Sequence, residues 1–174
     1  MDNRISIVFT VNNSYAQHCC VAMVSVLENN LTSSIDFYIL TDYFSDENKK
    51  LFVSVVERYG NNNRVEFKLV DHAIFEGFKL HIKYITCHTY YRLLIADLFP
   101  ELTRILYLDA DLIVDGSIAE LWKTPLEGYL YAGVNDSWIE RIKYKYSIGL
   151  QESDIYINAG VILMNLEAMR NENI

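Results

Sequence analysis

The chain has 174 residues, 51% of them hydrophobic and 22% charged, and its 15 Lys and Arg against 23 Asp and Glu give a formal net charge of −8. This length predicts a single domain that can build its core without disulfides or structural metals. The acidic balance argues against nucleic acid and against an anionic membrane surface as the main partner, because proteins that bind them concentrate Lys and Arg. An anionic substrate stays compatible with this charge if a divalent cation mediates the contact.

The three cysteines and the N-terminal residues both indicate a cytoplasmic protein. Cys19, Cys20 and Cys87 form no C-x-x-C pair, and their odd number favours reduced thiols. The N-terminal apolar run is too short for a signal peptide, since Ser6 and Thr10 interrupt it. No stretch is long enough to span a bilayer. We therefore expect no transmembrane segment in this chain.

The first 70 residues alternate between apolar runs of strand length and segments of helical period. Runs rich in β-branched residues predict buried strands, and a helical pattern that follows a capping residue predicts a helix. The predicted strands are Ile5–Val11, Ile35–Leu40 and Val65–Val70, and the first predicted helix is Ala16–Leu27. A second helix is predicted between Ser45, its N-cap, and Gly60, its stop signal. The apolar face of this second helix consists of Leu51, Phe52, Val55, Val56 and Tyr59.

The remaining residues continue the alternation and predict a mainly parallel sheet covered by helices on both faces. The predicted elements are a helix at Thr89–Leu98 ended by Pro100, buried strands at Ile105–Leu108, Leu130–Val134 and Val161–Met164, and the beginning of a helix within Leu166–Ile174. Ligands bind such sheets outside the carboxyl ends of the strands. The residues expected at that edge are Asn12-Asn13-Ser14, Thr41-Asp42, Asp71-His72, Asp109–Asp111 and Asn135-Asp136.

The strongest chemical signal is Asp109-Ala110-Asp111, which directly follows the apolar Ile105–Leu108 run. In extended backbone, residues i and i+2 point to the same side, so both carboxylates can face one cation while Ala110 packs behind them. Hard oxygen ligands suit Mn²⁺ or Mg²⁺. An acidic surface turn is the alternative interpretation, because a bare D-x-D pattern is common.

Other motifs for catalysis or phosphate binding are missing from the sequence. There is no G-x-G-x-x-G, no P-loop and no G-x-S-x-G, and His18, His72, His81 and His88 lack zinc-site spacing. A Mg²⁺-dependent phosphatase of the haloacid dehalogenase type also begins with D-x-D after an apolar strand. That phosphatase is an alternative, although its motif normally lies near the N-terminus and carries Thr or Val where this chain has Ile113.

Four segments, in the same order along the chain, resemble glycosyltransferase family 8, the retaining transferases that include bacterial lipopolysaccharide galactosyl- and glucosyltransferases and the glycogenins. The segments are IVFTVNNSYAQHCCVAMVSVLENN, FYILTDYFSDENKKLF, YITCHTYYRLLIADLFPELTRILYLDADLIVDGSIAELW and YINAGVILMNLEAMR. The resemblance implies an α/β GT-A (Rossmann-like) fold, a UDP-sugar donor and Mn²⁺, with Mg²⁺ as the alternative metal.

The same resemblance assigns roles to individual residues. It makes Asp109 and Asp111 the metal ligands, with Ala110 between them among the cofactor-binding residues, and it places Arg92 against the donor sugar and diphosphate. Asp136 is expected to contact sugar hydroxyls. The other matches are Thr10, Val11, Asn12 and Tyr15 at uracil and ribose, and Asn158, Ala159 and Gly160 in an N-A-G turn that lines the donor-sugar pocket.

From the residues alone, three of these positions have structural alternatives. Tyr15 could be a packing residue at a helix start, Arg92 a surface arginine, and Asn158 part of a turn. The functional roles have physical support, because a guanidinium binds phosphate oxygens bidentately and an aromatic face suits uracil.

Two features depart from the family pattern. Asn12 stands where the family usually has Asp, which keeps a carbonyl oxygen for the uracil N–H but removes the charge. The family's third metal ligand, a histidine in a late H-x-x-G-x-x-K-P-W segment, has no counterpart. Residues 1–174 are therefore expected to be the nucleotide-sugar-binding portion of a single GT-A domain, truncated before the acceptor and third-ligand segment, which could also place the protein at a membrane surface.

The expected activity is retaining, Mn²⁺-dependent transfer of a hexosyl group from UDP-glucose or UDP-galactose to a glycan or lipid-linked glycan. In this interpretation Arg92 and Asp136 act on the donor sugar and diphosphate. The alternatives are a non-catalytic UDP-sugar-binding fragment, which would bind UDP without turnover, and the phosphatase, which would release phosphate without any dependence on UDP.

Overall fold

A computed structural model describes residues 4–78, 87–136 and 142–174 of the chain. The strands in these ranges are β1 (Arg4–Thr10), β2 (Ser34–Thr41), β3 (Arg64–Leu69), β4 (Arg104–Leu108), β5 (Tyr131–Asn135) and β6 (Ile157–Asn165). The α-helices are α1 (Ala16–Glu28), α2 (Asp46–Tyr59), α3 (Ile95–Leu98), α4 (Ala119–Trp122), α5 (Ile142–Ser147) and α6 (Leu166–Asn171). The 3₁₀ helices in these ranges span Asn13–Tyr15, His72–Phe75 and Cys87–Leu94.

The strands of the described ranges form one sheet in the order β3-β2-β1-β4-β6-β5. The four strands β1 to β4 run parallel, whereas β6 is antiparallel to both β4 and β5. The chain first extends the sheet from β1 towards β3 and then returns to place β4 on the other side of β1. This reversal creates a switch in strand order between β1 and β4, where sheets of this kind bind ligands.

Each face of the sheet buries its own apolar cluster, because successive side chains of a strand point to opposite sides. Ile7 and Phe9 of β1 belong to the cluster under α1 and α2, whereas Val8 belongs to the cluster on the other face. That second cluster includes Tyr91 of the 3₁₀ helix and Leu166 of α6. The predicted sheet with helices on both faces is confirmed.

Helices α1 and α2 lie where the sequence predicted them, and α2 has the expected cap at each end. The Ser45 side chain accepts a hydrogen bond from the Asn48 backbone N–H, an N-cap that stabilises a helix by about 1 kcal/mol. Gly60 ends α2 with a φ of 61°, in the left-handed region that glycine tolerates. The predicted apolar face is wrong at one position, since Leu51 is exposed while Phe52 and Val56 are buried.

The predicted helix at Thr89–Leu98 is instead a 3₁₀ helix, Cys87–Leu94, followed by the single α-helical turn of α3. A 3₁₀ helix has three residues per turn, so residues i and i+3 share a face. His88 and Tyr91 are accordingly buried together, and Thr89 and Arg92 both face the pocket described below.

Strand β5 is an edge strand, and most of its residues are exposed. The prediction of a buried strand at this position is therefore wrong, because an apolar run does not reveal whether its strand lies inside the sheet or at its edge. Among the described helices, none has both the length and the apolar character that crossing a membrane requires.

Candidate active site

A cavity of about 500 Å³ opens at the carboxyl ends of β1 and β4, at the switch in strand order. Because β6 is antiparallel to β4, its first residues reach the same edge. The residues that line the cavity are Thr10, Val11, Asn12, Tyr15, His88, Thr89, Arg92, Tyr107, Asp109, Ala110, Asp111, Asn158, Ala159 and Gly160. Eleven residues assigned from the sequence thus meet in one place, with Asp136 just outside the lining.

Both aspartates line the cavity, although not in the extended backbone that the sequence suggested. Strand β4 ends at Leu108, and Ala110 and Asp111 form a turn. Ala110 is buried behind the carboxylates as predicted, whereas Asp111 is exposed and the Asp109 side chain is 40% exposed. Both carboxylates can therefore reach a ligand in the cavity.

Arg92 is held against Asp109 by contacts that use three of its five N–H groups. Its Nη2 lies 3.2 Å from Asp109 Oδ1, its Nη1 donates to the Ala159 carbonyl at 2.6 Å, and its Nε donates to the Thr89 carbonyl at 2.9 Å. The Arg92 side chain is only 16% exposed. The alternative that Arg92 is a solvated surface arginine is therefore wrong.

Tyr107 lies beneath this ion pair. The Arg92 guanidinium stacks 4.3 Å from the centre of the Tyr107 ring, and the Tyr107 hydroxyl donates to Asp109 Oδ1 at 2.6 Å. Burial raises the pKa of the Tyr107 phenol, the nearby Arg92 charge opposes that rise, and the Asp109 carboxylate adds to it. The net effect is an upward pKa shift, so the phenol stays protonated and donates at neutral pH.

The turn after β1 brings Asn12 and Tyr15 to the cavity. Asn12 caps the first 3₁₀ helix, because its Oδ1 accepts from the Tyr15 backbone N–H at 2.9 Å and from Ser14 Oγ at 2.7 Å. Both lone pairs of this oxygen are engaged, so a bond from it to a nucleobase requires one contact to break. Tyr15 is 40% exposed, and its hydroxyl lies 3.5 Å from Asp111 Oδ2.

The predicted N-A-G turn is instead the beginning of β6, which starts at Ile157. The Asn158 side chain still forms a local bond, since its Oδ1 accepts from the Gly160 backbone N–H at 2.9 Å. Its Nδ2 lies 3.4 Å from Asp136 Oδ2. Asp136 follows β5, and its backbone N–H donates to the Tyr156 carbonyl at 2.9 Å. Asn158 therefore connects Asp136 to the cavity.

Sequence reasoning missed three residues that line the cavity: His88, Thr89 and Tyr107. Tyr107 was treated only as part of an apolar strand, and the signal that could have identified it is its position two residues before Asp109 at a predicted ligand edge. Thr89 precedes Arg92 by one turn of the 3₁₀ helix, and His88 is the residue before Thr89; the prediction of an ordinary α-helix did not reveal this arrangement.

His88 also connects the cavity to a second polar cluster on the strand-end loops. Its Nε2 lies 2.9 Å from Asp42 Oδ1, while the Cys87 thiol lies 3.3 Å from His72 Nδ1. Burial opposes ionisation of Asp42, but the hydrogen bond and charge of His88, together with backbone N–H groups such as that of Tyr43, outweigh it and lower the pKa of Asp42 below its ordinary value of 3.8. Burial and the Asp42 charge raise the pKa of the Cys87 thiol.

The chemistry of the cavity fits a hard divalent cation. Asp109 and Asp111 offer carboxylate oxygens, and a metal held by one or two carboxylates usually completes its shell with water and substrate phosphates. In the three described ranges, no group of three or more His, Cys, Asp or Glu side chains is arranged to hold a metal ion. The part of the chain that the structure describes therefore offers a partial coordination shell that the substrate could complete.

Comparison with known proteins gives one family for almost the whole chain. A family model described as "Glycosyl transferase family 8" matches residues 6–174. A putative glycosyltransferase of Haemophilus influenzae is 32% identical over 172 residues, which are 98% of this chain and 51% of the relative. The lipopolysaccharide 1,3-galactosyltransferase of Salmonella typhimurium is 30% identical over 178 residues, covering 99% of this chain and 51% of that enzyme.

A solved structure is also similar over most of the chain. The galactosyltransferase LgtC, crystallised with donor and acceptor sugar analogues, is 33% identical with a TM-score of 0.89. The match covers 96% of this chain and 60% of LgtC. The chain thus spans about half the length of the curated relatives it matches and somewhat more of this solved structure.

Proposed function

The chain belongs to glycosyltransferase family 8 and has the GT-A fold that its motifs implied, and from this premise we propose that the protein transfers a hexosyl group from a UDP-sugar to a hydroxyl acceptor with retention of the anomeric configuration. One observation carries the proposal: Asp109, Asp111 and Arg92 converge on a single cavity at the switch in strand order. Paired carboxylates beside a guanidinium suit a diphosphate that arrives with a divalent cation.

Asp109 and Asp111 would hold that cation, Mn²⁺ in the first instance or Mg²⁺. When bound, the metal supplies Lewis-acid neutralisation of the charge that develops on the departing UDP. The negative charge of the two carboxylates attracts a cation to the site. The guanidinium of Arg92 partly offsets the repulsion between the two carboxylates.

Arg92 would bind the diphosphate directly. Within the described contacts, two of the five N–H groups of its guanidinium are not used by the Asp109, Ala159 and Thr89 oxygens. Those contacts fix the guanidinium plane before the substrate arrives, so little side-chain entropy is lost on binding. A preorganised cation at this position stabilises charge as it develops on the leaving phosphate.

The remaining cavity residues divide between the two ends of the donor. Tyr15, with its exposed ring, and the backbone of Thr10 to Asn12 would bind uracil and ribose at the end of β1. At the other end, Asn158 to Gly160 and the adjacent Asp136 would bind hydroxyl groups of the hexose. The Salmonella relative is named a lipopolysaccharide galactosyltransferase, which supports a galactosyl donor and a glycan acceptor. We propose UDP-galactose, with UDP-glucose as the alternative, and a glycan or lipid-linked glycan as acceptor.

A second candidate function is sugar-nucleotide binding without turnover. One observation favours it: the described part of the chain contributes two carboxylates to the cavity but no group of three metal-binding side chains. A non-catalytic module would bind UDP with Mn²⁺ and leave the sugar attached. The phosphatase alternative is disfavoured, because the family match and the GT-A fold both point to sugar transfer.

A thermal-shift experiment on the full-length protein tests the proposal. UDP-glucose, UDP-galactose and UDP are each added with Mn²⁺ and with EDTA, and GDP-mannose serves as the mismatched nucleotide. A ligand at 100 times its Kd stabilises the folded state by about 2.7 kcal/mol, so a Mn²⁺-dependent rise in Tm with UDP ligands alone is expected. Equal shifts with EDTA, or none with any UDP ligand, would contradict the proposal. Release of UDP from the stabilising donor then separates the transferase from the non-catalytic module.

A further inference from the structure

One buried tyrosine joins three elements at the cavity. Tyr107 is 1% exposed on β4. Its hydroxyl lies 2.6 Å from Asp109 Oδ1 and 3.2 Å from Thr10 Oγ1, at the end of β1. The face of its ring supports the Arg92 guanidinium at 4.3 Å. This single side chain therefore contacts a residue proposed for the metal, one for the nucleoside and one for the diphosphate.

The direction of these hydrogen bonds follows from the chemistry of the groups. An ionised carboxylate only accepts, so the single phenolic hydrogen of Tyr107 is directed at Asp109. The Tyr107 oxygen is then left as an acceptor, and the Thr10 hydroxyl donates to it. The result is an ordered chain of donors from Thr10 through Tyr107 to Asp109, in which each bond polarises the next.

This chain of donors distinguishes the two oxygens of Asp109. Oδ1 accepts from both Tyr107 and Arg92. Oδ2 lies beside Gly160, where a Cβ atom added to that glycine would approach it to 2.9 Å. Contacts from two sides fix the side-chain torsions of Asp109, and the absence of a side chain at Gly160 keeps the space next to Oδ2 open.

We propose that Tyr107 is a positioning residue that holds Asp109 with Oδ1 turned into the protein and Oδ2 presented to a divalent cation. The inference rests on the proposed function, since the cation is the one assigned there to Asp109 and Asp111. Partners of this kind orient metal ligands, and their removal typically lowers metal affinity by about 10- to 100-fold.

Substitution of Tyr107 by Phe separates positioning from packing. Y107F keeps the ring, its place in the apolar cluster and its contact with Arg92, and removes only the hydroxyl. Tyr38 offers a matched control, because it is a buried tyrosine of β2 in the same cluster and lies outside the residues that line the cavity. Any general cost of removing a buried hydroxyl will appear in both variants.

The experiment measures Mn²⁺ affinity by calorimetry and by electron paramagnetic resonance in the full-length protein, together with Tm in EDTA. Y107F is expected to lower Mn²⁺ affinity by about 10- to 100-fold, with a Tm in EDTA that falls no further than that of Y38F. A crystal structure of metal-free Y107F is expected to show Asp109 in more than one rotamer. Wild-type Mn²⁺ affinity in folded Y107F would overturn the proposal.

Two further variants keep the test decisive. T10V removes the hydroxyl that donates to Tyr107, so it should lower Mn²⁺ affinity in the wild-type background and have no further effect in Y107F. If Y107F does not fold, unchanged affinity in T10V overturns the proposal. D109N separates this inference from the proposed function. If D109N keeps the wild-type Mn²⁺ affinity, the metal assignment itself fails. If D109N loses Mn²⁺ affinity and Y107F does not, only the role of Tyr107 fails.

Discussion

Gly160 pairs with the backbone of Asp109 and leaves room for the Asp109 side chain. The Asp109 backbone N–H donates to the Gly160 carbonyl at 2.8 Å, which continues the pairing of β4 with β6 beyond Leu108. A Cβ atom at position 160 would lie 2.9 Å from Asp109 Oδ2 and 3.0 Å from Asn158 Oδ1. A side chain at position 160 would therefore have to displace one of these two polar side chains.

Gly160→Ala is expected to push the Asp109 carboxylate out of place. Tyr107 and Arg92 hold the other oxygen, so the carboxylate cannot retreat without breaking a hydrogen bond. We expect Mn²⁺ affinity to fall about 10-fold or more and the free energy of unfolding to fall by about 1–3 kcal/mol. Calorimetric metal titration and urea unfolding measure the two effects.

Gly116→Ala is the matched control for this substitution. A Cβ atom at position 116 meets no atom within 4 Å, so this change should leave Mn²⁺ affinity unaltered and stability within about 0.5 kcal/mol of wild type. Equal Mn²⁺ affinity in the two alanine variants would contradict the expected displacement of the Asp109 carboxylate.

Asp109→Asn and Asp111→Asn are each expected to abolish the Mn²⁺-dependent part of UDP affinity. The substitutions keep the shape of the side chain and remove the negative charge that attracts the cation. Calorimetry of UDP with Mn²⁺ and with EDTA isolates that part. Asp115→Asn changes an exposed aspartate outside the cavity lining and should bind UDP as the wild type does; a loss of the same size there would indicate a general charge effect.

Arg92→Lys is expected to weaken UDP binding by about 10- to 100-fold, because hydrogen bonds to charged groups contribute about 1.5–3 kcal/mol and lysine cannot form the planar pair of bonds. The positive charge next to Asp109 is kept, so the domain should stay folded by circular dichroism. Arg64→Lys, at an exposed arginine of β3, is the control and should leave UDP affinity unchanged. If R92K retains full affinity, the diphosphate is bound by other groups.

The Asp42–His88 pair predicts a specific pH dependence of stability. Burial opposes ionisation of Asp42, but His88 and nearby backbone N–H groups lower its pKa below the ordinary value of 3.8 in the folded state. Ionised Asp42 therefore stabilises the fold above about pH 4, and this contribution disappears as the pH falls through the lowered pKa. Urea unfolding of wild type and Asp42→Asn should differ most between pH 5 and 7 and converge at lower pH. A gap that stays constant from pH 6 to pH 3 would contradict the assignment.

A double-mutant cycle with His88→Gln tests whether His88 is the partner responsible. The two side chains lie 2.9 Å apart, so their effects on the free energy of unfolding should be non-additive at pH 6. Additive effects would mean that the backbone contacts of Asp42, such as the Tyr43 N–H, and not His88, lower its pKa.

The strands and the two long helices could be predicted from the sequence because their signals are local. The β-branched run of β1 and the cap of α2 at Ser45 depend only on neighbouring residues. Two predictions failed for the same physical reason. Neither the exposed edge position of β5 nor the 3₁₀ geometry of Cys87–Leu94 is encoded in an apolar pattern, since both depend on which neighbours the tertiary fold supplies.

The sequence predicted which residues belong to the site better than it predicted the contacts between them. Asp109, Asp111 and Arg92 were identified from motifs, and the structure brings them to one cavity. Tyr107 was missed because a tyrosine in an apolar strand usually serves the core, and only the fold places its hydroxyl between Thr10 and Asp109. Likewise, Asn158 to Gly160 lie in a strand and not in the predicted turn, because they pair within the sheet at the beginning of β6.

The sequence by itself determined the class of fold, the residues that carry charge at the strand ends and the family to which the chain belongs. These depend on periodicity, on capping residues and on motifs whose members lie close together along the chain. Only the tertiary structure decided how the charges are oriented. Thr10 and Arg92 come from segments separate from the one that carries Tyr107 and Asp109, and their hydrogen bonds form only once packing has brought these segments within about 3 Å of one another. Hydrogen bonds act only over such distances, so a pattern along the chain identifies the groups that take part, and the tertiary fold determines their geometry.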